Sequence, residues 1–209
     1  MKKTFLTMAI AILAAGISFA QQPTDEELNR LIANISLLRT GDPAAWEQAK
    51  GNFATDDAWT MMDEIKSDPN EYRMIGGNYF RLNNILTTCS GYDKSMTTGD
   101  FLNGNDPNFK YSLIERGIKK GCTVKYEMKC RKGKQTFVVM PYDAQKADQV
   151  ELEAFVNGKS VGKGQAKDGN IIIDINRNID EADTIRLEIA NKSDVNMPVV
   201  IINHNTRTN

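Results

Sequence analysis

The chain has 209 residues, of which 41% are apolar and 25% are charged. This composition is ordinary for a folded soluble protein, and it excludes wholesale disorder, a collagen-like fibre and a multi-span membrane protein. Without Lys2 and Lys3, which belong to the N-terminal segment described next, the chain carries 24 basic and 27 acidic residues. A net charge of −3 argues against a nucleic-acid binder.

The first 20 residues have the organisation of a removable signal peptide. Lys2 and Lys3 precede an apolar stretch from Phe5 to Ile17, and the small residues Ser18 and Ala20 follow it. We therefore expect cleavage after Ala20 and export to the periplasm or the extracellular space. The rest of the chain has no long apolar run, so we expect no membrane span in the mature chain.

Residues 21–91 are predicted to form a helical region of about four helices. Thr24 and Glu27 form a capping box in front of apolar residues at helical spacing, and Gly41 ends this first helix. Asp42-Pro43 is a start signal for a second helix, which carries Trp46.

Two further helices are predicted in the same region. Thr55 or Asp56 begins the third, with Trp59 on its apolar face, and Asp68-Pro69 begins the fourth. The fourth has apolar residues at the 3-4-3-4-3 spacing typical of a helix in a bundle: Tyr72, Ile75, Tyr79, Leu82, Leu86 and Cys89.

A polar connector spans residues 92–108, after which the apolar period changes from 3.6 to 2. About eight short strands are predicted over residues 109–209, and Asn157-Gly158 and Asp168-Gly169 are typical of tight turns between them. Helices that precede the strands argue against a doubly wound parallel fold. The predicted class is α+β, with a helical region followed by an antiparallel β-sandwich or jelly roll.

The stretch from Cys130 to Asn157 contains a glycine turn, the strand FVVMPYD and the run ADQVELEAFVNGK. It resembles the small secreted β-sandwich modules called pre-peptidase C-terminal domains, although Glu151 stands where their pattern usually has aspartate. The resemblance covers about residues 111–204. It implies a β-sandwich that serves as a non-catalytic appendage of extracellular enzymes, and no hydrolase domain is recognised in this chain.

Three cysteines matter because disulfide bonds persist in oxidising compartments. Cys122 and Cys130 lie eight residues apart on one predicted strand, about 26 Å in extended backbone, whereas the Cα atoms of a disulfide lie within about 7 Å. These two cysteines are therefore not expected to bond to each other. Cys89 is predicted to pair with either Cys122 or Cys130.

No complete catalytic motif and no cofactor motif occurs in the sequence, so we expect no cofactor. The one histidine, His204, lies near the C-terminus, which argues against a histidine-activated nucleophile and a multi-histidine zinc site. Residues 100–106 are rich in oxygen ligands that suit calcium, but they lack EF-hand spacing, and connectors commonly use such residues. A pair of carboxylates that meets only in the folded chain stays open as an alternative.

Positive charge is concentrated in the second half of the chain. Residues 116–134 contain eight basic residues and one acidic residue. The candidate anion-binding residues are Lys119, Lys120, Lys125, Lys129, Arg131, Lys132 and Lys134. Alternation places Lys125, Lys129 and Arg131 on one face of a strand. That face is either a solvated surface that discourages aggregation or a docking site for an anionic polymer or lipid headgroup.

Together these features predict an exported, non-enzymatic binding or accessory module of the bacterial envelope or the extracellular space. Its expected partner is an anionic envelope polymer or another exported protein. Two alternatives stay open: a carboxylate-dependent hydrolase, and a structural or inhibitory partner of another exported protein.

Overall fold

The computed structural model describes residues 25–40, 42–53, 59–61, 68–72, 111–129, 133–179 and 183–206. Within these residues two helices, α1 (Asp25–Arg39) and α2 (Pro43–Phe53), precede eleven strands and one short 3-10 helix (Ala144–Gln149). The strands are β1 (Trp59–Met61), β2 (Glu71–Tyr72), β3 (Tyr111–Ile118), β4 (Thr123–Lys129), β5 (Gly133–Pro141), β6 (Val150–Val156), β7 (Lys159–Lys163), β8 (Gln165–Lys167), β9 (Asn170–Ile179), β10 (Thr184–Asn191) and β11 (Met197–Thr206).

The strands form two sheets. The larger has seven strands in the order β1-β3-β11-β5-β9-β8, with β2 also paired to β3, and the smaller has four strands in the order β4-β10-β6-β7. Strand β1 runs parallel to β3, and the other pairings are antiparallel. The chain is therefore mainly β.

The seven-stranded sheet lies between two apolar layers, because successive side chains of a strand point to opposite faces. One face packs on the smaller sheet, and the other packs on the helices. The core between the sheets includes Val124, Tyr126, Phe137, Val139, Leu187 and Ile201. The core under the helices includes Leu28, Leu31, Ile35, Ala49, Val138, Met140, Val200 and Ile202. The order of layers is helices, seven-stranded sheet, four-stranded sheet.

The predicted α+β class, with four N-terminal helices, is wrong. Trp59, which was predicted to lie on a third helix, is the first residue of β1, and Tyr72, which was predicted to lie on a fourth, belongs to β2. An Asp-Pro pair fits a turn as well as a helix start. Here Oδ1 of Asp68 accepts the N–H of Asn70 at 2.8 Å, and the turn leads the chain onto the edge of β3. The remainder of the predicted fourth helix and the connector lie outside the described residues.

Both predicted tight turns are confirmed. Asn157 and Gly158 have φ of 49° and 78° and connect β6 to β7, and Asp168 and Gly169 have φ of 50° and 74° and connect β8 to β9. Two consecutive positive φ angles are the geometry of the two-residue turn that matches strand twist.

The chain passes from the smaller sheet to the larger one at Gly164, between β7 and β8. A β-carbon at this position would lie 2.6 Å from Cγ2 of Ile171 and 3.0 Å from Cβ of Leu152. The N–H of Gly164 donates to the carbonyl oxygen of Leu152 at 2.8 Å, which holds the backbone close to both side chains. No side chain fits at this crossing without displacing the core.

Gly164→Val should therefore lower the free energy of unfolding by about 1–3 kcal/mol, because overpacked cores force backbone shifts of that cost. Urea unfolding followed by circular dichroism measures the change. Ala166→Val is the control, since Ala166 is exposed two residues farther along on β8. Equal stabilities of the two variants would show that the crossing is not tightly packed.

Candidate functional site

The described members of the predicted anion-binding set lie on one turn and on strands of two different sheets. Lys119 and Lys120 lie in the turn between β3 and β4, Lys125 and Lys129 belong to β4, and Lys134 belongs to β5 of the other sheet. A seven-residue strand extends about 20 Å, so the turn lysines and Lys134 lie at opposite ends of β4. Arg131 and Lys132 lie outside the described residues.

The outward face of the four-stranded sheet is close to charge-balanced where it is described. Nζ of Lys125 lies 3.7 Å from Oε1 of Glu188, and Nε of Arg186 lies 3.1 Å from the same oxygen. The register also places Glu127 opposite Arg186, whose guanidinium carbon lies 4.2 Å from the centroid of the Phe155 ring. This ladder of opposite charges supports the solvated-surface interpretation of Lys125.

A turn also covers the beginning of β4, which is an edge strand of the smaller sheet. Oδ2 of Asp68 accepts the N–H of Lys125 at 3.1 Å, and Nδ2 of Asn70 donates to the carbonyl oxygen of Thr123 at 2.8 Å. Exposed edges invite pairing with other chains, and side chains that occupy edge groups prevent it. The Asp68–Asn70 turn therefore protects this part of the edge.

Two loops meet at one end of both sheets: the β3–β4 turn, residues 119–121, and the β10–β11 loop, residues 192–196. We call these residues the lysine tip. The N–H of Lys120 donates to Oδ1 of Asn196 at 3.0 Å, and the N–H of Gly121 donates to the carbonyl oxygen of Ser193 at 3.2 Å. These bonds tie the two loops into one unit.

The lysine tip is built on the side chain of Asn191, which is 0% exposed. Nδ2 of Asn191 donates to three carbonyl oxygens, at 3.2 Å from Ile118, 3.3 Å from Lys119 and 2.8 Å from Val195. Oδ1 accepts from the N–H and the hydroxyl of Ser193 at 3.0 and 2.6 Å. One buried amide therefore satisfies backbone groups of both loops and holds them in one arrangement.

The surface of the lysine tip is mostly cationic. Lys119, Lys120 and Lys192 are exposed, and Val195 is 39% exposed. Asp194 is exposed on the same loop, Nζ of Lys192 lies 3.6 Å from Oε2 of Glu151, and Nζ of Lys119 donates to the carbonyl oxygen of Pro69. Sequence reasoning missed Lys192, because it lies beside the basic run only through the hydrogen bonds between the two loops.

A second group of polar residues lies on the helix-facing side of the larger sheet. We call Glu115, Tyr142, Tyr72 and Arg39 the acid–phenol cluster. Glu115 of β3 is 3% exposed, and the hydroxyl of Tyr142 donates a hydrogen bond to its Oε1. The ring of Tyr72 occupies the space over Gly117, so a β-carbon there would collide with it. Sequence reasoning did not select Glu115, because its position in the sequence is that of an ordinary polar residue on a strand.

Arg39 brings the end of α1 to this cluster. Its guanidinium donates to the carbonyl oxygen of Pro141 and to Oγ of Ser36, the latter at 3.1 Å. Burial lowers the pKa of Arg39, and the nearby Tyr142 opposes that effect. The cluster is therefore the polar junction between α1 and the sheet.

Burial dominates the electrostatics of the acid–phenol cluster. It raises the pKa of Glu115 to about 7, against the hydrogen bond from Tyr142, which favours the anion. Burial and the nearby Glu115 also raise the pKa of Tyr142 and of Tyr72. A carboxyl whose pKa is raised in this way is suited to act as a general acid or a pH sensor.

The opposite face of β3 carries a buried ion pair. Nε of Arg116 lies 3.2 Å from Oε1 of Glu71. This ion pair connects β2 to β3 on the side of the sheet that faces the core. Burial raises the pKa of the neighbouring Tyr126 hydroxyl, and Glu71 adds to that effect. This group is internal and holds β2 in place.

The remaining candidate residues are placed as follows. His204 lies on β11 and is buried. Cys122 is a half-buried free cysteine, whereas Cys89, Cys130 and residues 100–106 lie outside the described residues, so the disulfide bond from Cys89 stays a prediction. Among the side chains that the structure describes, no three of histidine, cysteine, aspartate and glutamate are arranged to hold a metal ion. No helix in the described ranges has both the length and the apolar character needed to cross a membrane.

Comparison with known proteins adds no relative: no family model and no curated protein matches the chain. The resemblance to pre-peptidase C-terminal domains stays a prediction. The geometry of the lysine tip and of the acid–phenol cluster is therefore the basis for the functional proposals below.

Proposed function

We propose that this chain is an exported, non-enzymatic binding or accessory module that holds an anionic polymer at its lysine tip. The supporting observation is that three exposed lysines from two separate loops stand on one unit fixed by Asn191. Loops that are ordered before binding lose less entropy when a ligand arrives. Exposed charges of one sign attract a polymer of the opposite sign.

The acidic residues near the tip set the expected strength of binding. Asp194 and Glu151 offset part of the lysine charge, and exposed charges are screened within about 8–10 Å at physiological ionic strength. We therefore expect moderate affinity that falls steeply as salt rises. The signal-peptide-like N-terminus supports export to the periplasm or the extracellular space. Anionic polymers occur in these compartments.

Retention on immobilised dextran sulfate tests this function. A variant with Lys119, Lys120 and Lys192 replaced by glutamine should elute at lower salt than the wild type. Its free energy of unfolding should change by less than about 0.5 kcal/mol for each residue, as is usual for exposed positions.

The matched control replaces Lys159, Lys163 and Arg177 by glutamine, because these residues are exposed and lie outside the lysine tip. It removes the same charge and should elute close to the wild type. A third variant, with Lys125, Lys129 and Arg131 replaced, tests the strand face that the sequence predicted. Equal elution of the tip variant and the control would refute the tip as the binding surface.

The acid–phenol cluster favours one second candidate, a carboxylate-dependent hydrolase. Its basis is that burial raises the pKa of Glu115 to about 7 and that a hydrogen-bonded tyrosine lies beside it. Glycosidases use such a carboxyl as the general acid, together with a second carboxylate. Hydrolysis of 4-nitrophenyl glycosides by the wild type, lost in Glu115→Gln, would support the hydrolase, and no hydrolysis by either protein would eliminate this candidate for those substrates.

A further inference from the structure

The acid–phenol cluster lies where three weakly connected elements meet the larger sheet. Strand β3, which carries Glu115, is paired with β11 over eight residues. Strand β2 is attached to β3 through only two residue pairs, and β1 through three. Helix α1 rests on apolar contacts and on the hydrogen bonds of Arg39. Elements with few backbone bonds open before the rest of a fold.

The groups that face Glu115 come from every described element packed around it. Tyr142, which follows β5, supplies the hydrogen bond, and Tyr72 comes from β2, while the charge of Arg39 on α1 acts on Tyr142. On β11 the residue opposite Glu115 is the apolar Val200. The neighbouring pair Glu71 and Arg116 lies on the other face of the sheet.

We propose that Glu115 is a proton-operated latch, which keeps α1 and β2 docked on the larger sheet while its carboxyl is protonated and loosens them when the carboxyl ionises. This regulatory device is independent of the polymer-binding function proposed above.

The direction follows from the surroundings of the carboxyl. A buried carboxylate needs several donors, and the hydrogen bond that Glu115 receives within the described chain comes from Tyr142. Among the described residues the guanidinium of Arg39 donates to Pro141 and Ser36 and forms no ion pair with Glu115. Ionisation therefore favours a state in which water reaches Glu115. We expect β2, whose Tyr72 is coupled to Glu115, and α1, whose Arg39 is coupled to Tyr142, to move to admit it. Burial raises the pKa of Glu115 to about 7, so the transition is expected near neutral pH.

The chain contains its own probes of this motion. Its two tryptophans belong to neighbours of the elements that move: Trp46 to α2, which packs on α1, and Trp59 to β1, which pairs with β3. Tryptophan emission should change between pH 5.5 and 8.5 with a midpoint near 7. Hydrogen exchange, corrected for the intrinsic effect of pH, should accelerate over residues 25–53 and stay unchanged in β6 and β10.

Two variants separate the latch from a general effect of pH. Glu115→Gln should abolish the transition, because glutamine does not ionise. Tyr142→Phe should move the midpoint up by about one pH unit, since the lost hydrogen bond favours the anion and its removal raises the pKa of Glu115 further. Glu127→Gln, the same substitution on the exposed face of β4, should behave like the wild type.

A transition with the wild-type midpoint in Glu115→Gln would overturn the latch, as would identical exchange over residues 25–53 at both pH values in the wild type. A transition in Tyr142→Phe that moves to lower pH would contradict the role given to the tyrosine hydroxyl. Polymer retention is not needed for any of these readouts, so a failure of the latch leaves the lysine tip untouched.

Discussion

Between pH 4.5 and pH 7.5 the wild-type protein should lose up to about 3 kcal/mol of stability that the Glu115→Gln variant keeps. The unfolded carboxyl titrates near 4.5 and the folded one near 7, so the folded state binds the proton more tightly. Stability from this group is fully present below the unfolded pKa and falls as pH rises, until it levels off above 7. If α1 and β2 loosen, water reaches the ionised carboxylate and part of the cost of burying it is relieved. The loss of about 3 kcal/mol is therefore an upper limit.

Urea unfolding at intervals of half a pH unit, followed by circular dichroism, measures this effect. The difference between the wild type and Glu115→Gln isolates Glu115 from all other titrating groups. Glu127→Gln is the matched control and should follow the wild-type curve, since Glu127 is exposed. Parallel curves for the wild type and Glu115→Gln would show that Glu115 has the same pKa in the folded and unfolded chains.

Replacing Asn191 by alanine should lower the free energy of unfolding by about 3 kcal/mol or more. The change removes hydrogen bonds to three carbonyl oxygens and to Ser193, and it leaves these buried or partly buried groups without the amide. Leaving buried polar groups unsatisfied costs about 1–3 kcal/mol each, although several regain water when a loop relaxes. This substitution should therefore destabilise the protein more than the replacement of any residue of the lysine tip.

Asn196→Ala is the control for that experiment. Asn196 is exposed and accepts a single backbone N–H, from Lys120, so its loss should cost less than about 1 kcal/mol. Chemical denaturation at pH 6 measures both variants. Equal and small effects would mean that the two loops of the lysine tip are not held together by Asn191.

The β-rich part of the fold was accessible to sequence reasoning because its signals are local. Alternation in β6 and β10 and the turns at Asn157-Gly158 and Asp168-Gly169 depend only on neighbouring residues. The same holds for α1, where a capping box precedes apolar residues at helical spacing. The short strands β1 and β2 were missed because they exist only by pairing with β3, about 50 residues away in the chain.

The candidate sites depended even more on distant contacts. A continuous run of basic residues suggested one patch, but β4 and β5 carry its parts to different sheets. Lys192 joins Lys119 and Lys120 only through the hydrogen bonds of Asn191 and Ser193. Glu115 becomes unusual only because folding buries it and Tyr142 donates a hydrogen bond to it. No local pattern in the sequence marks either residue.

The salt dependence of binding to dextran sulfate tests the proposed function most directly. Each cation that contacts a polyanion releases counterions, so the logarithm of the affinity falls with the logarithm of the salt concentration in proportion to the number of contacts. Replacing Lys119, Lys120 and Lys192 by glutamine should reduce the slope by about 2–3, while the Lys159, Lys163 and Arg177 control keeps the wild-type slope. The same slope for all three proteins would contradict polymer binding at the lysine tip.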